Sequence, residues 1–293
     1  MKKILFLLAV SIVSMALGST AASAQQREKV VTGSFSYLAP SSIEMLDEYM
    51  SNQMYSGALY YSGWDIKLSA LYKKYDNLSW DLYFNTLSQG NSEDISELMS
   101  NPSNSQYLTY NGYNLGYGTY YHWNFGRKLM IKAGGKFDLY GAKKETKPDG
   151  LDNCLNMEGQ IMLKAHAAIK YGWDFKKWAL DLSLRASLPM LGVITADHPS
   201  EPALALLGND HNILNAEYNH IFLASYHNYM SLDYEFDIDF VLRHCTLTLG
   251  IGSTNKWWNV YDVQNIRKIN YISLGIAFDL VTRNKFKSTN KNF

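Results

Sequence analysis

The chain has 293 residues, with 27 Lys and Arg against 27 Asp and Glu, and is 47% hydrophobic and 14% aromatic. Balanced charge gives no basic face for nucleic acid, and beyond the leader no apolar run approaches the roughly 20 residues of a helical membrane span. Any membrane domain must therefore be built of strands, and with no Pro/Ser-rich linker or abrupt change in composition one domain is expected over residues 25–293.

The first element is an export signal. Lys2 and Lys3 precede an apolar stretch from Ile4 to Leu17, and small residues then end in Ala22-Ser23-Ala24. This predicts a cleaved signal peptide over residues 1–24, with cleavage before Gln25. The stretch is too short for a stable helical anchor, and no Cys follows it for lipid attachment. Its removal takes away two lysines and leaves a slightly acidic mature chain.

From Val30 onward the hydrophobic period becomes two, the signature of a strand with two unlike faces. Ten candidate strands follow: Val30 to Leu38, Gly63 to Lys73, Leu78 to Ser88, Tyr107 to Trp123, Lys128 to Tyr140, Leu155 to Trp173, Trp178 to Leu191, Asn228 to Phe240, His244 to Ser253 and Lys268 to Leu280. Most are long enough for the roughly 9 to 11 residues of a tilted membrane-crossing strand. The links alternate in length. Short ones stand at 75–77, 124–127, 174–177 and 241–243, and long ones at 39–62, 89–106, 141–154, 192–227 and 254–267. Bacterial barrels have this alternation, with short turns in the periplasm and long loops outside. The first strand is the weakest member of the series; as a periplasmic lead-in it would leave an odd number.

The two faces are chemically opposed. Trp64, Ile66, Leu68, Ala70 and Tyr72 share one face while Asp65 and Lys67 take the other. Leu180, Leu182, Leu184, Ala186, Leu188 and Met190 oppose Asp181, Ser183, Arg185 and Ser187. Met230, Leu232, Tyr234, Phe236, Ile238 and Phe240 oppose Asp233, Glu235, Asp237 and Asp239. A charge on the lipid side costs about 2 to 4 kcal/mol near the bilayer midplane, so the polar series must point inward. Tyr72, Trp80, Tyr121, Trp123, Trp173, Trp178 and Phe240 cluster at the short links as an interfacial girdle. Lys132, Lys136, Asp138, Glu158, Gln160, Lys164, His166, Lys170 and Arg185 then join the acidic strand in the lumen. The reading is an ion-pair and hydrogen-bond network filling a narrow barrel; the alternative is a charged conduit for a small solute or ion. Gly116, Gly118, Gly134, Gly250, Gly252 and Gly275 face inward and make room for long neighbours.

No phosphate-binding loop or dinucleotide fingerprint occurs, and no catalytic, cofactor-binding or metal-ligating residue is assigned. A barrel hydrolase with a His two residues before a Ser on one strand would need His198-Pro199-Ser200, the one such triplet, and its proline disfavours a ladder strand. Asp197, His198, Asp210 and His211 share that long link, residue types that an omptin-like protease uses at its outer rim. His227 and Ser231 share a strand face but lie too far apart for a direct bond. Cys154 and Cys245 fall at opposite ends of the wall and are not expected to pair. In the long link, Ser200 is placed to cap a brief helix through Leu207, stopped by Gly208. Ala216 to Tyr226 either extends the eighth strand or folds over the rim; Ile221, Phe222 and Leu223, with Trp257 and Trp258, are candidates for one packed cluster.

Leu46-Asp47-Glu48-Tyr49-Met50-Ser51-Asn52-Gln53-Met54-Tyr55-Ser56-Gly57 resembles the first-loop pattern of an uncharacterised Bacteroidota-type family of outer-membrane β-barrel proteins, Asp-x-Tyr-Leu-Ser-Pro-x-x-Tyr-x-Gly. Met50 stands for the leucine and Asn52 for the proline, and Leu188-Pro189-Met190-Leu191-Gly192 resembles a second family position. The resemblance implies fold and compartment and carries no activity. The expectation is an all-β, antiparallel up-and-down transmembrane barrel of about ten strands in the cell outer membrane. Its partners are outer-membrane lipid, the barrel assembly machinery during insertion and an unidentified extracellular ligand or protein; it needs no cofactor, binds no nucleic acid and is monomeric. Its role is structural or binding through the long outer links, with a hydrolase at the outer rim or a narrow transport barrel as alternatives. Phe278 lies inside the last strand and a basic tail, Arg283 to Lys291, runs past it, which leaves the closing seam open.

Overall fold

The computed structural model describes residues 27–47, 51–56, 61–72, 75–89, 108–125, 128–146, 154–175, 178–196, 221–242, 245–260 and 263–284. The signal peptide, the capped helix and the triplet His198-Pro199-Ser200 with Asp197, Asp210 and His211 lie outside them. The elements are all strands: β1 (Arg27–Asp47), β2 (Ser51–Ser56), β3 (Tyr61–Tyr72), β4 (Tyr75–Gln89), β5 (Leu108–Phe125), β6 (Leu129–Thr146), β7 (Cys154–Asp174), β8 (Ala179–Ala196), β9 (Ile221–Ala224), β10 (Tyr229–Val241), β11 (Cys245–Val260) and β12 (Val263–Asn284).

These strands form a closed antiparallel barrel of ten staves. Consecutive staves pair throughout, β8 with β10 included, and β1 closes the ring by pairing both β3 and β12. The first candidate strand is thus a stave, and it runs from Arg27 opposite Asn284 to Asp47 opposite Asn265. The basic tail residue Arg283 continues the ladder beside Glu28, so the closing seam extends past Phe278. β2 folds back on the end of β1, and β9 with β10 makes one interrupted stave.

The strands run further toward the long-link end than periodicity predicts. β6 includes Lys143, Lys144, Glu145 and Thr146, where polar residues occupy both faces and alternation no longer marks the strand. The supposed long link 254–267 is largely ladder: β11 and β12 stay paired to Val260 opposite Val263. β8 continues to Ala196, and Ile221–Ala224 pairs its last part, so the segment before Asn228 extends the eighth stave. Between them Asn228 holds the turn, its side chain accepting from the Ser225 N–H at 2.9 Å and donating to the Leu223 carbonyl at 2.8 Å.

Both prolines in the wall sit at register shifts. The β1 to β12 ladder slips between Pro40 and Ser42, and the β7 to β8 ladder slips where Lys164 faces Pro189 and Leu163 faces Leu191. Proline has no N–H to give a ladder, so bulges are where a sheet accommodates it. Each bulge also reverses facing. Phe35 is exposed on the outside, whereas beyond Pro40 the buried Ile43 and Met45 turn inward; beyond Pro189, Ile194 does the same.

Inside, tyrosines lie over cross-strand glycines. Tyr83 faces Gly116 in register, and a Cβ on Gly116 would fall 2.2 Å from the Tyr83 ring. Gly135 is different, since a Cβ there meets only the Lys164 carbonyl at 3.8 Å. Gly116→Val is therefore expected to displace the ring and destabilise the barrel by about 1–3 kcal/mol, while Gly135→Ala changes stability by less than about 1 kcal/mol. Urea unfolding of the protein folded in detergent, followed by tryptophan fluorescence, measures both.

Candidate functional site: the lumen

Alternation along each stave sends the charged series inward. Asp81, Asp138, Glu158, Lys164, His166 and Asp237 are all buried, although the outward neighbours Leu82, Leu139, Ile161, Leu163, Ala165 and Phe236 are exposed. Burial strips these groups of water, and each is tolerable only if another group replaces it.

Nearest the short links, Lys170 bonds Asp181 at 2.7 Å and Asp239 at 3.4 Å, and Thr248 donates to Asp239 at 2.6 Å. Above them Arg185 reaches across one ladder to Glu235 at 3.1 Å and Asp237 at 2.7 Å, with Ser183 also donating to Asp237 at 3.1 Å. Lys132 meets Asp81 at 3.5 Å and lies 3.6 Å from the centre of the Tyr120 ring. In the middle Lys164 binds Asp138 at 2.8 Å and Asp233 at 2.7 Å, while the Tyr83 hydroxyl donates to Asp138. The four acids of the alternating strand are thus shared among Lys164, Arg185 and Lys170, so Arg185 is the partner of only Glu235 and Asp237.

The long-link end is built differently. Arg267 on β12 donates to the hydroxyls of Tyr110 on β5 and Tyr140 on β6. In the ring order β12 and β6 are five staves apart, so this contact spans the full diameter of a ten-stave barrel. Lys256 on β11 sits 3.8 Å from the centre of the Tyr140 ring. Ile43, Met45, Tyr110, Ala142 and Ile269 form an apolar cluster at the same level. Lys144 pairs with Glu158 at 2.6 Å, and Tyr229 donates to Gln160 at 3.2 Å. Trp258 is buried against Phe222, ring centres 5.4 Å apart, whereas Ile221, Leu223 and Trp257 face outward.

Two histidine and serine contacts, one buried and one half-buried, occur that spacing along the chain does not reveal. His166 Nδ1 lies 2.9 Å from Ser187 Oγ, and His122 Nε2 lies 2.5 Å from Ser79 Oγ. Partners 21 and 43 residues apart meet only through register. The other nitrogen of neither ring has a carboxylate hydrogen bond among the described residues, so neither pair has the orienting third group of a hydrolytic triad. The Tyr120 ring packs edge-on against His166 at 5.0 Å instead. His227 lies in the exposed turn before β10, away from the buried Ser231. Cys154 pairs with Thr146 at the long-link end, and Cys245 with Phe278 toward the short links, so the barrel height separates them.

Residues 4–286 match the family described as Protein of unknown function (DUF3316). No curated protein matches the chain. Among solved structures, the chain is similar to the outer membrane protease OmpT from Escherichia coli at 7% identity, covering 89% of this chain and 99% of that one with a TM-score of 0.46. It is similar to the translocator domain of the autotransporter NalP from Neisseria meningitidis at 9% identity, covering 94% and 95% with a TM-score of 0.39. An outer membrane channel from Pseudomonas putida F1 is similar at 10% identity, covering 89% and 96% with a TM-score of 0.38.

Lys164 is the cation shared by the buried Asp138 and the half-buried Asp233. Lys164→Met leaves Asp138 and Asp233 without it and is expected to cost about 3–5 kcal/mol. Lys170→Met, at a position whose side chain is 32% exposed, costs about 1 kcal/mol, within the range of solvent-screened pairs. Denaturant midpoints in the same detergent check the order of the two.

Proposed function

The chain belongs to the DUF3316 family of proteins of unknown function, and we propose that it is an outer-membrane β-barrel with a filled lumen and a structural or binding role exercised from its long-link end. The observation that carries this reading is the inversion of polarity across the wall. Ile251 and Leu274 are 62% and 63% exposed on the outside, while Asp237 and Glu158 are 2% and 5% exposed within. A belt of that kind around the whole circumference is unstable in water and at home in hydrocarbon.

The outer wall supports the same orientation. Stacked or edge-on aromatic pairs gather at the short-link end: Tyr121 with Trp123, Tyr171 with Trp173, and Phe175 with Trp178, ring centres 4.1 to 4.8 Å apart. Amphipathic rings at one rim fit a membrane interface, and short links fit the periplasmic side. Phe35, Ile66, Leu82, Phe84, Leu115 and Phe278 line an outward apolar groove of about 430 Å³, a fit for an acyl chain. Export through a signal peptide over residues 1–24, assembly by the barrel insertion machinery and a monomeric state belong to this reading.

The filled lumen separates a binding or structural barrel from a transport barrel. A barrel of this size has room for little more than its own side chains, and Arg267 with Tyr110 and Tyr140 ties opposite walls together at the long-link end. Fractionation is expected to place the protein with outer membranes, with a gel mobility that shifts on heating. In planar bilayers the unaltered protein is expected to give no stable conductance steps, while Arg267→Ala combined with Tyr140→Ala gives small ones. Regular steps from the unaltered protein would replace this reading with the transport one.

A further inference from the structure

The two ends of the lumen balance their charge differently. Toward the short links, Lys132, Lys164, Lys170 and Arg185 each hold one or two carboxylates, and Lys136 lies over the Tyr83 ring at 5.3 Å, without an ion pair among the described residues. At the long-link end, Lys256 and Arg267 face each other directly across the β11 to β12 ladder, with Ser231 opposite Lys256 on the other side. Like charges in that relation repel. Among the described residues neither cation has a carboxylate within ion-pair reach; one carboxylate, Glu158, acts on both from further off, and it is bound by Lys144 at 2.6 Å and by Gln160, so three cations share it.

Both cations instead converge on one neutral ring. Lys256 Nζ lies 3.8 Å and Arg267 Cζ 4.7 Å from the centre of Tyr140. Lys256 is 9% and Arg267 5% exposed, so water does not make good the missing charge. A second observation is independent of charge. Arg267 Nε, Asn265 Nδ2 and Ser231 Oγ are fully buried without a hydrogen-bond partner. Asn265 faces Trp258, two residues along β11 from Lys256, so the orphaned groups lie on adjacent rows of β10 and β12, the two staves that flank Lys256 on β11. Surplus positive charge and unused donors coincide at one place.

We infer that this end of the lumen is a binding site for a small oxyanion, held by Lys256 and Arg267 with Ser231 and Asn265 as additional donors. Two or more oxygens on one centre suit it, because a guanidinium and a neighbouring ammonium can each take one. The bound anion separates the two like charges and supplies the acceptors the wall lacks. The phosphate or carboxylate can be a free ion or the terminal group of a larger molecule.

The test uses the full mature protein folded in detergent, its thermal unfolding followed by tryptophan fluorescence while ionic strength is held constant with chloride. Inorganic phosphate, acetate and glucose 1-phosphate are titrated separately. A saturable rise in melting temperature is expected with at least one of them. A response to glucose 1-phosphate shows that the site takes the end of a larger molecule, and a response confined to inorganic phosphate or acetate shows a free ion. Lys256→Met is expected to melt higher than the unaltered protein without added oxyanion, and to weaken the response about tenfold or more. Lys170→Met, in the paired part of the lumen, keeps the response. Absence of any saturable shift overturns the inference, as does a shift that Lys256→Met leaves intact. Arg267→Gln adds a second measure if it folds; Lys256→Met, which keeps the stem that packs on Tyr140, decides alone if it does not.

Discussion

Closure of β1 against β12 is the constraint on which the rest depends. Ladder pairing from Arg27 with Asn284 to Asp47 with Asn265 removes both free edges of the sheet. An open edge would present unpaired N–H and C=O groups, which hydrocarbon cannot solvate. Closure also decides what inside means. Once the ring is complete, the alternate residues of every stave face one enclosed lumen, and a period-two pattern in the sequence becomes a partition between apolar exterior and charged interior.

That partition creates an electrostatic problem that the wall solves locally. Lys170 and Lys164 on β7 reach past β8 to Asp239 and Asp233 on β10, and Arg185 on β8 reaches the acids between them. Basic and acidic staves side by side keep most of these contacts short chords of the ring. Such a wall neutralises itself without closing the barrel. What fills the centre is aromatic and long: Tyr83 over Gly116, Tyr271 over Gly252, and the Arg267 contact across the diameter.

The sequence shows the wall and conceals the constriction, for physical reasons. Within the belt one face is apolar and the other charged, so alternation is strong; Leu184, Leu188 and Met190 of one series and Met230, Leu232, Tyr234, Phe236 and Phe240 of the other are exposed on the outside as the alternation predicts. The acids of Asp233 to Asp239 are likewise legible as partners of lumen cations, since both sets fall on the inward phase. At the long-link end that signal fades. Lys144, Lys256 and Arg267 sit in stretches polar on both faces and read as link residues, although all three are buried inside the barrel. The His166 and Ser187 contact was hidden for another reason, because register is a property of paired strands and not of spacing along one.

The two proline bulges explain why the constriction forms at that end. A strand that kept its phase past Pro40 would turn Ile43 and Met45 outward; the slip between Pro40 and Ser42 brings both into the lumen beside Tyr110 and Ala142. The slip beside Pro189 does the same for Ile194. Each bulge therefore moves apolar bulk from the wall into the bore above the level of the Lys164, Arg185 and Lys170 ion pairs. The apolar groups narrow the space and exclude water, and exclusion of water strengthens the field of Lys256 and Arg267 on whatever lies between them. A wall below whose carboxylates are held by lysine and arginine, and two adjacent desolvated cations above, make the long-link end the part of the lumen equipped to recognise a ligand.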